Sequence, residues 1–172
     1  MTDDFMGFRP AGEEDLKRIW EIILQAKEQM RLAGKQQWQD GYPAPEDIAR
    51  DVASGYGYVL CREGRAVAYG AVIFDGEPAY EVIRGKWATE PPYVVVHRLA
   101  VADEVKQQGM ATLFMRQVEG LCRRKGVGSF RVDTNFDNVY MLRMLEKLGF
   151  RYCGKIVYAR NERLAFEKRL EG

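Results

Sequence analysis

The chain is poor in the residues that build covalent or metal frameworks. It has three cysteines, Cys61, Cys122 and Cys153, an odd number with no CxxC pair. A disulfide scaffold or a zinc site is therefore not expected. There is one histidine, His97, and no clustered set of acidic ligands, so no metal is expected either. No apolar run approaches the roughly 18 residues of a membrane span. The opening Met1-Thr2-Asp3-Asp4 lacks the basic and apolar stretches of a signal peptide. Charge of one sign is also missing: 26 Lys and Arg stand against 25 Asp and Glu, a net of +1. A dedicated nucleic-acid binder usually carries a strongly basic domain, which disfavours that class. The expectation is a soluble, cytoplasmic protein with neither membrane nor nucleic acid as partner.

What is present suffices for a packed core. A hydrophobic fraction of 47% with 12% aromatics, over 172 residues, suits one domain spanning 1–172. The charge is unevenly spread: residues 1–86 carry a net of −4 and residues 87–172 a net of +5. A basic half suits an anionic ligand, although such an imbalance also arises without functional meaning.

Periodicity and turn residues divide the chain. A first strand runs from Phe5 to Arg9, and a helix from Glu13 carries Leu16, Ile19, Trp20, Ile23 and Met30 until Gly34. Gln36 to Pro45 has no period and reads as a loop, followed by a short helix from about Glu46 to Ser54. Tyr56–Cys61 and Ala66–Phe74 read as a hairpin, and Asp75–Pro92 as a longer loop. The nearly continuous β-branched run Tyr93–Val101 reads as a strand buried on both faces. A helix then carries Ala111, Phe114, Met115, Val118, Leu121 and Cys122 on one stripe. Strand Ser129–Thr134, helix Asn138–Lys147, strand Arg151–Tyr158 and strand Arg163–Lys168 complete the order. This is an α/β chain with a mixed sheet flanked by helices.

The segment richest in chemistry joins Leu99-Ala100-Val101 to Gln107-Gln108-Gly109-Met110-Ala111-Thr112. A strand ends, Gly109 permits close backbone approach, and a helix begins. Free N–H groups and a partial positive charge at a helix start suit a phosphate or pyrophosphate. A glycine that merely makes the turn would give the same short pattern.

Lys106-Gln107-Gln108-Gly109-Met110-Ala111 is similar to the Gln/Arg-x-x-Gly-x-Gly/Ala signature of the GNAT superfamily of acetyl-CoA-dependent N-acetyltransferases. It follows a strand ending Leu-Ala-Val, as that family's fourth strand commonly does. Asp133 to Gly154 resembles the second family landmark, an Asn before a helix ending Glu-Lys-Leu-Gly-Phe. The opening Phe8-Arg9-Pro10-Ala11 also looks like the family's beginning, so the resemblance covers nearly the whole chain.

The resemblance implies a GNAT-type acyl-CoA N-acyltransferase fold, with a central, twisted, mainly antiparallel sheet flanked by helices. It also implies an acyltransferase that moves acetyl from acetyl-CoA to a primary amine of a small molecule or peptide by direct attack. Leu99, Ala100 and Val101 would flank the acetyl and pantetheine arm. Backbone N–H groups from Gln107, Gln108, Gly109, Met110, Ala111 and Thr112 would hold the pyrophosphate, and Asn138 would contact the cosubstrate near its thiol. Lys106 departs from the usual Gln or Arg, and Leu145 stands where many relatives place the Tyr that protonates the leaving thiolate. A catalytically weak acyl-CoA-binding or sensing domain, or a transferase of another acyl group, is the alternative.

Asp133 matches the place where some relatives carry a catalytic carboxylate; it also reads as the partner of a neighbouring Arg or as an Asp holding the loop before Asn138. His97 reads either as a satisfied core or rim residue or as a base, since alternation puts it on the face of Leu99. Arg98, on the other face, reads as structural. In the family the acceptor is lined by the first two helices, their loop and the final hairpin. Trp38 and Tyr42 lie on that loop and Trp87 on the Asp75–Pro92 insertion, where they would clamp a ligand or staple a loop to the core. Cys153 reads as packing rather than an acyl relay. The oligomeric state, including a homodimer, is open.

Overall fold

In chain order the elements are β1 (Met6–Pro10), α1 (Leu16–Leu32), α2 (Pro45–Ala53), β2 (Gly57–Arg62), β3 (Arg65–Ile73), β4 (Arg84–Gly85), β5 (Val94–Val101), α3 (Met110–Lys125), β6 (Ser129–Thr134), α4 (Val139–Leu148), β7 (Arg151–Tyr158) and β8 (Asn161–Arg169). They are seen in a computed structural model that describes residues 6–158 and 161–170. Phe5, expected to open the first strand, lies outside the described residues. The class is the expected one: a mixed, mainly antiparallel sheet flanked by helices. Two compact units divide the chain, one of Met1–Val72 and His97–Gln117, the other of Ile73–Val96 and Val118–Gly172.

In the first unit β1, β2 and β3 form antiparallel ladders. The β2–β3 turn is two residues, Glu63 (φ 51) and Gly64 (φ 80), both left-handed. That is the turn whose twist matches paired strands. Before α1, the Asp15 carboxylate accepts from the Gly12 N–H at 2.8 Å and from Arg9 at 2.7 and 2.9 Å. Those hydrogen bonds from Arg9 hold its pKa below the ordinary aspartate value. The apolar stripe of α1 buries Ile19, Ile22 and Ile23, and its polar face is tied down as well. Arg18 Nε donates to the Ala66 carbonyl at 2.9 Å, and the Gln25 side chain accepts from the Asp103 N–H at 2.9 Å. α2 begins with Pro45 at its first position and buries Ile48 and Asp51 on one side.

In the second unit β8 lies between β6 and β7, antiparallel to both. The parallel ladder of β5 with β6 consists of Val94↔Phe130 and Val95↔Arg131. Tyr80, Tyr93, Val95, Ile156 and Ala165 form a core cluster. Through it passes the buried pair of Arg131 Nε with Glu167 at 2.8 Å, the guanidinium lying 4.1 Å from the Tyr93 ring centroid and 4.5 Å from that of Trp87.

The region expected to be one long loop, Asp75 to Pro92, differs. It holds a short 3-10 turn, Pro78–Val82, and the two-residue strand β4 against β7. Two residues are too few to show alternation. The pairing depends on glycine: at Gly85 (φ 148) an added Cβ would lie 2.2 Å from the Cys153 carbonyl oxygen.

Candidate active site

β5 ends at Val101, and a 3-10 turn, Asp103–Val105, carries the chain towards α3. Gln107 (φ 64) and Gly109 (φ 78) are both left-handed, which folds the segment back so that a helix can start at Met110. The Leu113 N–H donates to the Gly109 carbonyl at 3.0 Å and opens the helical ladder. The N–H groups of Met110, Ala111 and Thr112 precede that bond and have no partner within the helix. Lys106, Gln107, Gln108 and Gly109 are exposed, and a Cβ built on Gly109 would meet nothing within 4 Å. The Gln108 side chain is fixed from two sides, accepting from Arg62 Nη1 at 3.2 Å and donating to the Glu104 carbonyl at 3.4 Å. An open turn with a helix start and a nearby guanidinium fits an anionic phosphate group. The six residues from Val96 to Val101 are outside the parallel ladder that holds Val94 and Val95.

The middle of β5 departs from simple alternation. Arg98 is left-handed (φ 57), and His97, Arg98 and Leu99 are all half-buried in succession. A face assignment for His97 from its spacing to Leu99 therefore does not carry through this strand. Arg98 is the centre of a network that runs from the buried Asp51 to the exposed Tyr42. Its Nε and Nη2 donate to Asp51 Oδ2 and Oδ1 at 2.8 and 2.6 Å, and its Nη1 donates to the Tyr42 hydroxyl at 2.8 Å. The Tyr69 hydroxyl donates to the same Asp51 oxygen at 2.7 Å. Burial works against the charge on Arg98, but the hydrogen bonds to Asp51 and the neighbouring Tyr42 outweigh it and raise its pKa. Burial and the Asp51 charge together push the Tyr69 phenol upward, so it remains a donor.

In the second unit Asp133 has comparable partners. Arg163 Nε donates to Oδ1 at 2.8 Å, while the Tyr80 and Tyr158 hydroxyls donate to Oδ2 at 2.6 and 3.1 Å. Burial, then the Asp133 charge, raises both phenols. This carboxylate is the partner of an arginine and the acceptor for two tyrosines. Asn138 caps α4, its side-chain oxygen accepting from the Met141 N–H at 3.2 Å. The Trp87 indole N–H donates to the Tyr80 carbonyl at 2.8 Å, and its ring covers Arg131. Leu145 is fully buried. The Cys153 thiol is half-buried, and burial raises its pKa, which lowers its thiolate fraction.

The first unit thus holds Trp38, Tyr42, His97, Leu99, Ala100, Val101 and the Gln107–Thr112 seat, while Asp133, Asn138 and Trp87 belong to the second. Sequence reasoning missed Asp51, Tyr69, Tyr158 and Arg163. A signal for Asp51 existed: it lies three residues after Ile48, on the stripe that α2 buries. Among the described residues no three His, Cys, Asp or Glu gather as a metal site would require. No helix among them is long and apolar enough to cross a membrane.

The model of the acetyltransferase (GNAT) family matches residues 16–150, and the chain belongs to that family. An acetyltransferase of the GNAT family from Streptococcus agalactiae is 34% identical, with a TM-score of 0.87, over 97% of this chain and 96% of that one. Two more distant structures share the fold. The ribosomal-protein-S18-alanine N-acetyltransferase of Escherichia coli has 12% identity and a TM-score of 0.70, with 97% and 95% of the two chains covered. The PaiA N-acetyltransferase of Thermoplasma acidophilum, in complex with coenzyme A, has 12% identity and a TM-score of 0.70, with 95% and 98% covered. No curated protein matches the sequence.

Proposed function

We propose that the protein is a cytoplasmic N-acetyltransferase that moves acetyl from acetyl-CoA to a primary amine of a small molecule or peptide. The observation that carries this reading is the open left-handed turn at Gln107 and Gly109 leading into the first turn of α3. The family match runs through both units, which supports treating residues 1–172 as one functional domain. Three free thiols suit a reducing compartment.

In this reading acetyl-CoA is a substrate, and the N–H groups of Gln107 and of Gly109 through Thr112 hold its pyrophosphate, the Gln108 N–H being taken by the Val105 carbonyl at 3.2 Å. The backbone of Leu99, Ala100 and Val101 pairs with the pantetheine arm and offers a donor to the thioester oxygen as charge develops there. Asn138 is carried over from the resemblance as a contact of the cosubstrate near its thiol. The amine nitrogen bonds to the acetyl carbon, the carbon–sulfur bond breaks, the amine loses a proton and the thiolate gains one. His97 takes the amine proton, directly or through water. Asp133 holds Tyr80 and Tyr158 rather than taking a proton itself, because three donors already engage its carboxylate. Trp38 and Tyr42 face the acceptor, while Trp87 keeps its own loop against the core.

The test of the seat is Thr112→Glu. A carboxylate in the first turn of α3 favours the helix but repels a phosphate, so CoA affinity should fall about tenfold or more with an unchanged melting point. Retained affinity would sink the seat. For the base, the rates of His97→Ala and Asp133→Asn decide: the proposal expects kcat to fall about 100-fold or more in the first and far less in the second.

One observation favours a second reading. Leu145 offers no hydroxyl where relatives place an acid, as an acyl-CoA sensor would tolerate. Tight CoA binding with no thiol release across polyamines, aminoglycosides, amino acids and peptides would establish it.

A further inference from the structure

Several features of the first unit converge on one side chain. Arg98 keeps a left-handed conformation inside a strand, a strain that persists only where surrounding contacts over-determine it. Its guanidinium is engaged along both edges. One edge, Nε with Nη2, meets Asp51 at 2.8 and 2.6 Å; the remaining Nη1 meets the Tyr42 hydroxyl at 2.8 Å. Asp51 is 5% exposed and is held from behind by Tyr69. Tyr42 is of another kind: it sits just before α2, on the 36–44 loop, and is 43% exposed. A rigid ion pair therefore turns its third nitrogen, Nη1, to a loop aromatic.

We propose that Arg98 is a positioning residue for the acceptor, latching Tyr42 and the 36–44 loop in the arrangement that receives the amine. This rests on the reading of that loop as the acceptor side. Only a planar guanidinium meets both a carboxylate and a second acceptor from fixed directions; a lysine supplies one point charge and must give up one of them. Asp51 and Tyr69 set the direction of the fork. The exposed ring of Tyr42 then has one orientation rather than many.

Hydrogen–deuterium exchange of residues 36–44 tests the latch without any amine. It is followed in the wild type, Tyr42→Phe, Asp51→Asn and the double variant, with CoA titrated into each to verify the fold. Each single change should speed exchange in the loop about 10-fold, the scale of a lost hydrogen bond to a charged group. The double variant should go no further than the larger single, because both cut one chain of contacts. Unchanged exchange in Tyr42→Phe, or fully additive effects, would overturn the proposal. Should Asp51→Asn fail to fold, Tyr42→Phe decides alone, since it removes one hydroxyl. The kinetic arm uses thiol release with spermidine, kanamycin, lysine and an alanyl tripeptide. Arg98→Lys should raise the KM of whichever amine reacts about 10-fold while moving kcat far less. A fall in kcat with KM unmoved would refute the positioning role. If the wild type acetylates none of the four, the transferase reading fails, and loop exchange still settles the latch.

Discussion

Asp51 and Asp133 each sit inside a cluster of one arginine and two tyrosines, one in each unit, and the clusters are wired differently. At Asp133 both tyrosines, Tyr80 and Tyr158, donate straight to the carboxylate, and Arg163 closes the other oxygen. At Asp51 one tyrosine donates directly, while the other, Tyr42, is reached only through Arg98. The first arrangement ends on the carboxylate. The second passes through it to a loop. The same residue types therefore give a closed anchor in one unit and an outward tether in the other, and the difference is where the second tyrosine bonds: to the carboxylate at Asp133, to the guanidinium beside Asp51.

The largest expected effect comes from removing the cations. Arg98→Ala leaves a buried carboxylate without its partner and should cost about 3–5 kcal/mol in urea unfolding. Arg163→Ala should cost clearly less, about 2 kcal/mol, because the Arg163 side chain is 23% exposed against 15% for Arg98 and water can replace more of it. Equal costs would erase the distinction.

Next come the hydroxyls. Tyr69→Phe and Tyr80→Phe each remove a donor from a buried carboxylate and should cost about 1.5–3 kcal/mol by denaturant midpoint. Tyr158→Phe, whose bond is longer at 3.1 Å, should cost less than either.

The alkaline side sharpens the comparison further. Tyr69, Tyr80 and Tyr158 have raised pKa values in the fold, so above an ordinary tyrosine value of about 10 the unfolded chain ionises first and binds fewer protons. Their contribution is fully present below that pH and is lost as pH rises towards the folded values. A melting-point series above that pH should fall less steeply in each Tyr→Phe variant, and parallel slopes would contradict the assignment.

The smallest effect is expected at the surface pair, a reference for both clusters. Arg9 lowers the Asp15 pKa, so the stabilisation exists above the ordinary aspartate value and disappears as pH falls through the lowered one. Asp15→Asn should flatten the acid limb slightly and leave neutral stability within about 1 kcal/mol.

Much of this was legible before the fold. Strands β6 and β7 were expected at the bounds they have, because each is a continuous run closed by turn residues. The turn at Gln107 and Gly109 that opens α3 is legible because a strand, a glycine turn and a helix start are neighbours along the chain. β4 was not, since two residues gain strand character only from β7. Asp133 stands out by its place at a strand end, and its pairing with an arginine is one of the three readings that place allows. The His97–Leu99 face argument failed to carry because nothing in a β-branched run announces a left-handed Arg98.

The sequence by itself determined the helices, the main strands, the family and the glycine turn before α3, because alternation, apolar stripes and turn chemistry act over a few neighbouring residues. Tertiary structure alone decided that Asp51 would meet Arg98, 47 positions away, and that Arg98 Nη1 would meet Tyr42. A buried charge has no local signature of its partner. Which groups it meets depends on which elements pack together, and the cost of leaving it unmet is what selects the pairing.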